Sequence, residues 1–556
     1  MKKSKKLIAA LLASLMVLST AACSDGETQS SSSQQSGTNS SAAGETSSVE
    51  TSDTGEEGTY DTHVDLSWYK EGITGHEINY DGDAFGQFWQ DKFNVTIDLT
   101  AATMDGSDWT ERLRIWINSG DMPDVAHWAF NYGELADYAA QDAVYRFPDD
   151  WKERWPNVAK TQSYVPGAAV AEEKLGGTYV LFRTIFANHR PSERLSYHAL
   201  LYMRKDWMEA CGVEIKETYS PSELVEIAEK FRDQDPGGLG SQLVPISIHT
   251  YDMLKLYPGT DFTPAMDGYY YKDENGQFQW APADERTLES LKKYQNLYTS
   301  GLLDPEFYTL TRYEGTEKFY IGGTAGIVLD DGMGYMIQSR MEDGLQKNLG
   351  LDPDEVMHIA QLVGEDGKYH YREDMNFYGS IIFSPNLTDE EFERAMDILD
   401  FCSTEEGQEI INMGFEGEDW ELDENGEYVS LLPNEITGNA SSILGSKYPS
   451  ADVFFGGIIL GDDFQFVNPN YTKETRDIIS HFYELRDELS DETTLLPREY
   501  DYEFYSSRAK TQANMDLAGE YAQLILKEGD LETNWKNWVD EKMQLVQPLL
   551  DELNQQ

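Results

Sequence analysis

The chain has 556 residues, 40% hydrophobic and 12% aromatic, with a formal charge of −57. That charge excludes nucleic acid as a partner, because neutralising phosphates needs clustered Lys and Arg, and it excludes docking on an anionic membrane surface. It suits an exported protein and points to a neutral or cationic guest over a polyanionic one.

Lys2, Lys3, Lys5 and Lys6 precede an apolar run over residues 7–18, and Ser19-Thr20-Ala21-Ala22 lead into Cys23. About a dozen apolar residues are too few to span a hydrocarbon core of roughly 30 Å. They match a secretory signal, so 1–22 is read as the signal peptide. Its ending resembles a bacterial lipobox, with Thr20 where Leu is usual, which makes Cys23 the expected lipidation site. Residues 24–58 are rich in Ser, Thr, Gly, Gln and Glu. Such a stretch cannot bury enough apolar surface to offset chain entropy, so 23–59 is expected to be a disordered tether with a reach of roughly 30 to 35 Å.

The body from Tyr60 onward exceeds what one hydrophobic core usually supports, and two lobes are the default. Short strand-like runs alternate with amphipathic helices, an α/β pattern. The expected order starts with a strand at 64–68, a helix at 85–93 and a strand at 95–99. Trp109, Leu113, Trp116 and Ile117 recur at helical spacing. Asn118-Ser119-Gly120 stops that helix, Pro123 forbids its continuation, and a strand resumes over 124–128. Ser220 with Glu223 and Thr388 with Glu391 form capping boxes that open later helices. Asn275-Gly276 and Asn425-Gly426 mark hairpins. From about residue 515 the chain reads as helical, with Trp535, Trp538, Val539, Leu545 and Val546 on one face. No repeat at a solenoid period is present.

Enzyme signatures are scarce. The chain lacks a zinc-binding His-Glu-x-x-His, a Gly-x-Ser-x-Gly elbow and a phosphate loop. Gly237-Gly238-x-Gly240 reads as a turn. Asp81-Gly82-Asp83 reads as a solvated turn without the longer calcium-loop pattern. Neither a metal nor a cofactor is expected. With 100 acidic residues, carboxylate pairs arise by chance and do not mark a glycosidase. Cys211 and Cys402 are expected to be separate buried thiols. What the chain has in quantity is 33 Tyr and 12 Trp. Rings offer flat platforms for the C–H faces of sugars, with polar side chains beside them for the hydroxyls.

At Ser119-Gly120-Asp121-Met122-Pro123-Asp124-Val125 the chain resembles the extracellular solute-binding proteins of carbohydrate ABC importers. Further likenesses follow in the same order. They are Gly177-Thr178-Tyr179, then Leu201-Tyr202-Met203-Arg204-Lys205-Asp206-Trp207, then Gly301-Leu302-Leu303-Asp304-Pro305. The segment 319–326, Ser403-Thr404-Glu405-Glu406-Gly407 and Gly414-Phe415-Glu416-Gly417 complete the set. The resemblance implies a two-lobed, type II periplasmic-binding-protein-like α/β fold with an interlobe cleft and hinge crossovers. Lobe 1 would take 60–190 and 369–435, and lobe 2 would take 191–368 and 436–556.

It also implies ligand-binding roles. Trp128 would be a sugar-stacking platform at a strand tip, with Asn131 and Tyr132 just beyond. Trp68, Tyr69 and Lys70 would end the first strand at the same cleft. Asp330 and Asp331 would follow the strand of the second lobe, with Glu416 and Trp420 as further contacts and Arg204 as a structural ion-pair partner. The implied function is a monomeric, lipid-anchored extracellular protein that captures a saccharide and delivers it to ABC permease subunits. Two other readings stand beside it: a surface polysaccharide hydrolase or lyase, and an adaptor presenting ligand to a membrane sensor.

Overall fold

The structure is a computed structural model; it describes residues 60–70, 82–99, 108–128, 132–187, 189, 200–248, 270–432, 440–453 and 457–555. The signal, Cys23 and the tether lie outside the described residues, as does Asn131.

The first lobe is built on a five-stranded sheet in the order β2-β1-β3-β13-β4. Its strands are β1 (Val64–Tyr69), β2 (Val95–Leu99), β3 (Val125–Trp128), β4 (Leu181–Thr184) and β13 (Phe377–Phe383). β1 runs parallel to β2 and β3, and β13 runs antiparallel to β3 and β4. Alternate residues of a strand face opposite ways, and here both faces are covered. Leu66, Trp68, Val125 and Ile381 enter one core with Phe85 and Trp89 of α1 (Ala84–Phe93) and Phe392 of the helix Asp389–Cys402. Tyr69, Ala126, Phe182 and Ile382 enter the other, with Leu113 and Ile117 of α2 (Asp108–Ser119) and Leu135 of α3 (Tyr132–Ala140).

The second lobe repeats this plan in the order β6-β11-β5-β10-β7. These are β5 (Leu200–Arg204), β6 (Thr218–Tyr219), β7 (Val244–Ser247), β10 (Ala325–Asp330) and β11 (Met357–Leu362). Leu201 and Met203 face one core, shared with the C-terminal helix Leu531–Leu553, and Leu200 and Tyr202 face the other. Between β7 and β10 stands the hairpin of β8 (Tyr270–Lys272) and β9 (Phe278–Trp280). A second hairpin, β14 (Trp420–Leu422) with β15 (Tyr428–Ser430), follows the first lobe's return.

Many local signals act as read. Both capping boxes close with reciprocal hydrogen bonds, and Gly120, Gly276 and Gly426 all take positive φ. Asp83 caps α1 by accepting from the Gly86 N–H, and it also receives both the N–H and the hydroxyl of Ser450. Cys211 and Cys402 are buried free thiols. Arg204 forms a two-pronged ion pair with Asp206. Two expectations need correction. Leu545 is 46% exposed, because Trp535, Trp538, Val546, Leu549 and Leu553 make the buried stripe and Leu545 stands about 100° off it. The return to the second lobe, expected at 436, comes later. Leu444, Tyr448, Ile458 and Ile459 all pack in the first lobe's core.

The crossovers are laced together by two buried side chains. Thr184 bridges Ile459, with N–H to carbonyl bonds of 2.8 and 2.9 Å on either side. Asn376, held at φ 55°, accepts from the Phe186 N–H at 3.0 Å and donates to the Phe186 and Tyr164 carbonyls, each at 2.9 Å. Asp463, fully buried, accepts from the N–H groups of Ala187 and His189. A further strap begins where β12 (Tyr371–Arg372) pairs with β16 (Leu495–Leu496) and continues into the short helix Tyr500–Glu503.

Candidate functional site

The carboxyl ends of β1 and β3 hold most of the aromatics predicted to bind, and the structure divides them. Trp68 and Tyr69 are 0% and 1% exposed. β1 is an interior strand covered by helices on both faces, so its large side chains are core on either side. Trp68 meets the His127 ring edge-on and Tyr69 meets Trp116. Both are corrected from contacts to core. Lys70, just past the strand, is half-buried. Trp128 ends β3.

Trp420 is likewise core. It is buried and donates its indole N–H to the Gly414 carbonyl at 3.0 Å. The turn beneath it is organised by Asp419, which accepts from the Phe415 N–H, the Tyr448 hydroxyl and the Lys447 ammonium. Glu416 is exposed on that turn. At the end of β10, Asp330 is paired with Arg340 at 3.0 Å, and Asp331 is buried with its carbonyl accepting from the Tyr202 hydroxyl. Burial pushes the Asp330 carboxyl above the usual carboxylate range, against the pull of Arg340. The Asp330 carboxylate is thus occupied by its own lobe, and Asp331 is buried within it.

Tyr132 is the predicted residue that reaches an open space. With Gly133, at the start of α3, it forms the first-lobe wall of a cavity of about 330 Å³. The opposite wall comes from the second lobe and the strap. It comprises Tyr270 and Trp280 of the β8–β9 hairpin, Tyr502, the segment Tyr505-Ser506-Ser507, and Lys510, Thr511 and Asn514 at and just beyond the helix Arg508–Ala513.

The strap's helical turn explains how it serves both lobes. Residues four apart share a helix face, and Tyr500 and Phe504 dock on the first lobe, where Phe504 meets Tyr132 at 5.3 Å. Tyr502 turns the other way and stacks on Tyr270 at 4.5 Å, and Tyr505 donates to Glu552. Gly167 is needed beneath this contact, since a Cβ there would come within 2.5 Å of the Phe504 ring. Trp280 stacks on Trp538 at 5.5 Å.

The polar groups of the cavity are unevenly satisfied. Glu503, behind the wall, is paired through its Oε1 with Arg372 and Arg498 at 2.9 and 3.0 Å. The Tyr270 hydroxyl, on a residue 3% exposed, has no hydrogen-bond partner among the described residues. Lys510 donates to the Tyr502 and Glu503 carbonyls at 2.5 and 3.1 Å. Burial lowers its ammonium to about 8, with Glu503 opposing and Lys174 adding to the shift. No carboxylate stands among the described lining residues. The arrangement can stack rings on a guest and donate hydrogen bonds to it, but it lacks the facing carboxylates that glycoside hydrolysis uses.

Sequence reasoning missed Tyr270, Trp280, Tyr502, Tyr505 and Lys510. The available signal was the run Tyr500-x-Tyr502-x-x-Tyr505-Ser506-Ser507, where rings and hydroxyls crowd a short segment without helical or strand periodicity.

No family model matches the chain. It is 24% identical over 273 residues to lipoprotein LipO of Bacillus subtilis, covering 47% of this chain and 49% of that protein. It is 23% identical over 211 residues to the fructooligosaccharide ABC transporter substrate-binding protein FusA of Streptococcus pneumoniae, covering 36% and 38%. The chain therefore matches about half or less of the length of these relatives. Among solved structures, an HMO-binding solute-binding protein of Bifidobacterium longum infantis superposes with a TM-score of 0.61 at 15% identity, covering 89% of this chain and 98% of that one. FusA in complex with kestose superposes with a TM-score of 0.57 at 18% identity, covering 88% and 98%. The fold is that of the two-lobed extracellular solute-binding proteins.

Proposed function

We propose that this chain is a lipid-anchored extracellular solute-binding protein that captures an oligosaccharide between its lobes and presents it to the permease of an ABC importer. The carrying observation is the cavity between Tyr132 and the Tyr270–Tyr502–Tyr505 wall, where rings and hydroxyls from two separately cored lobes meet across one space. A guest there touches both lobes at once, so it favours whichever hinge position brings them closest, and binding shifts the population toward the closed form. Trp128, four residues before Tyr132, extends the same edge and is proposed as a further platform. Cys23 and the segment behind it would hold the body, as a monomer, at the outer face of the membrane. The names of the relatives favour binding over turnover: the first is a lipoprotein and the second a substrate-binding protein of a fructooligosaccharide importer.

The test is a thermal-shift screen over a panel of oligosaccharides. A guest present at 100 times its Kd stabilises the folded state by about 2.7 kcal/mol, and Tyr505→Ala should weaken a hit by about 1 to 3 kcal/mol. Turnover of an oligosaccharide during incubation would sink the binding reading in favour of a hydrolase or lyase. A panel without a single shift would sink saccharide capture.

A further inference from the structure

We infer that the interlobe cavity selects an acidic sugar, one whose carboxylate or sulfate accepts a hydrogen bond from the Lys510 ammonium. This rests on the cavity being the saccharide site and names the class of sugar it takes.

Three observations carry it. First, Lys510 is the one charged side chain among the described lining residues. Second, among the described residues its ammonium is ion-paired with no carboxylate. Its two partners are the backbone carbonyls of Tyr502 and Glu503, which leaves one of three N–H donors unspent. The Glu503 carboxylate, which could have paired with it, is turned to Arg372 and Arg498. Third, the ammonium is positioned over the Tyr502 ring at 4.3 Å, a contact that favours the cation, while burial and the repulsion of Lys174 work against its charge.

A partly buried cation without a counter-ion is costly unless something brings the opposite charge. Nearby polar groups of the cavity, the hydroxyls of Ser506 and Ser507 and the amide of Asn514, suit the remaining oxygens of such a guest. The chain-wide negative charge, which by itself speaks for a neutral or cationic guest, is a property of the outer surface. The local field is set by Lys510, opposed by the already neutralised Glu503 and reinforced by Lys174. Burial pushes the nearby Tyr270 phenol up, which keeps it neutral.

Isothermal titration with matched pairs of oligosaccharides decides it. Gluco-, galacto- and manno-trisaccharides would be compared with the corresponding uronic-acid trisaccharides and with sulfated neutral ones, on the full mature protein. The acidic member of at least one pair should bind ten-fold or more tighter than its neutral partner. That preference should vanish in Lys510→Gln and persist in Lys510→Arg. In the unaltered protein the acidic affinity should be flat below pH 8. It should fall by up to ten-fold per unit above it, as the empty site's ammonium loses its proton, while neutral sugars show no such fall. The pH profile needs no variant, so poor folding of Lys510→Gln would not shield the idea. Tighter binding of the neutral members, or an acidic affinity untouched by pH through 8 to 10, overturns the inference and leaves saccharide capture standing. If no trisaccharide of either kind binds, both readings fall together.

Discussion

The hinge and the cavity both join the two lobes, yet they treat their polar groups in opposite ways. At the hinge, Asn376 spends its side-chain oxygen and both amide hydrogens on backbone partners, and one oxygen of Asp463 gathers two N–H groups. At the cavity, among the described residues, the Tyr270 hydroxyl has no partner and the Lys510 ammonium pairs with no carboxylate. Fully bonded buried groups fix one geometry, and unbonded ones raise the free energy of the empty state. The difference separates a region built to hold crossovers in register from the one proposed to take a guest.

Three measurements would break or sharpen that contrast. Removing the hinge carboxylate with Asp463→Ala strands the Ala187 and His189 N–H groups. It should cost about 2 to 4 kcal/mol of stability in denaturant melts, and an unchanged midpoint would mean that the hinge is not organised by this side chain. The second effect is on the pH profile of stability. The folded-state ammonium of Lys510 is lowered to about 8 from an ordinary 10.5. The unfolded chain therefore binds this proton first as pH falls, and stability is lost between pH 10.5 and 8. The slope is at most about 1.4 kcal/mol per pH unit. Stability curves of Lys510→Gln and the unaltered protein should converge at the alkaline end of that window and diverge toward pH 8; parallel curves would refute the shift. The smallest effect is expected from Tyr270→Phe. Deleting an unpartnered hydroxyl should change stability by less than about 0.5 kcal/mol, while a loss above 1 kcal/mol would reveal a native bond to that oxygen.

Much of the fold was legible because its signals are local. The capping pairs Ser220 with Glu223 and Thr388 with Glu391 act within one turn of helix. Gly120 ends α2 by its own backbone freedom, and the β14–β15 loop closes around Asn425-Gly426. The site was legible only in part. Tyr132, read from the strand tip that precedes it, lines the cavity. Trp68, Tyr69 and Trp420 were proposed for the same ring chemistry but are sealed in the core. An aromatic at a strand end has the same sequence signature whether helices cover it or a cleft exposes it. The Tyr502–Lys510 wall was missed because it lies more than 350 residues along the chain from Tyr132.

The amino-acid order by itself determined the α/β character, the need for two cores, the helix starts and stops, and the chemistry in supply, many rings and few catalytic groups. These follow from periodicity, length and composition, each of which acts over a handful of neighbours or over the whole chain at once. The tertiary structure alone decided which rings face open space. It also kept Leu444, Tyr448, Ile458 and Ile459 with the first lobe, and left Lys510 without an ion-paired carboxylate among the described residues. Burial and pairing depend on what packs across a gap from distant parts of the chain, and no local pattern records that.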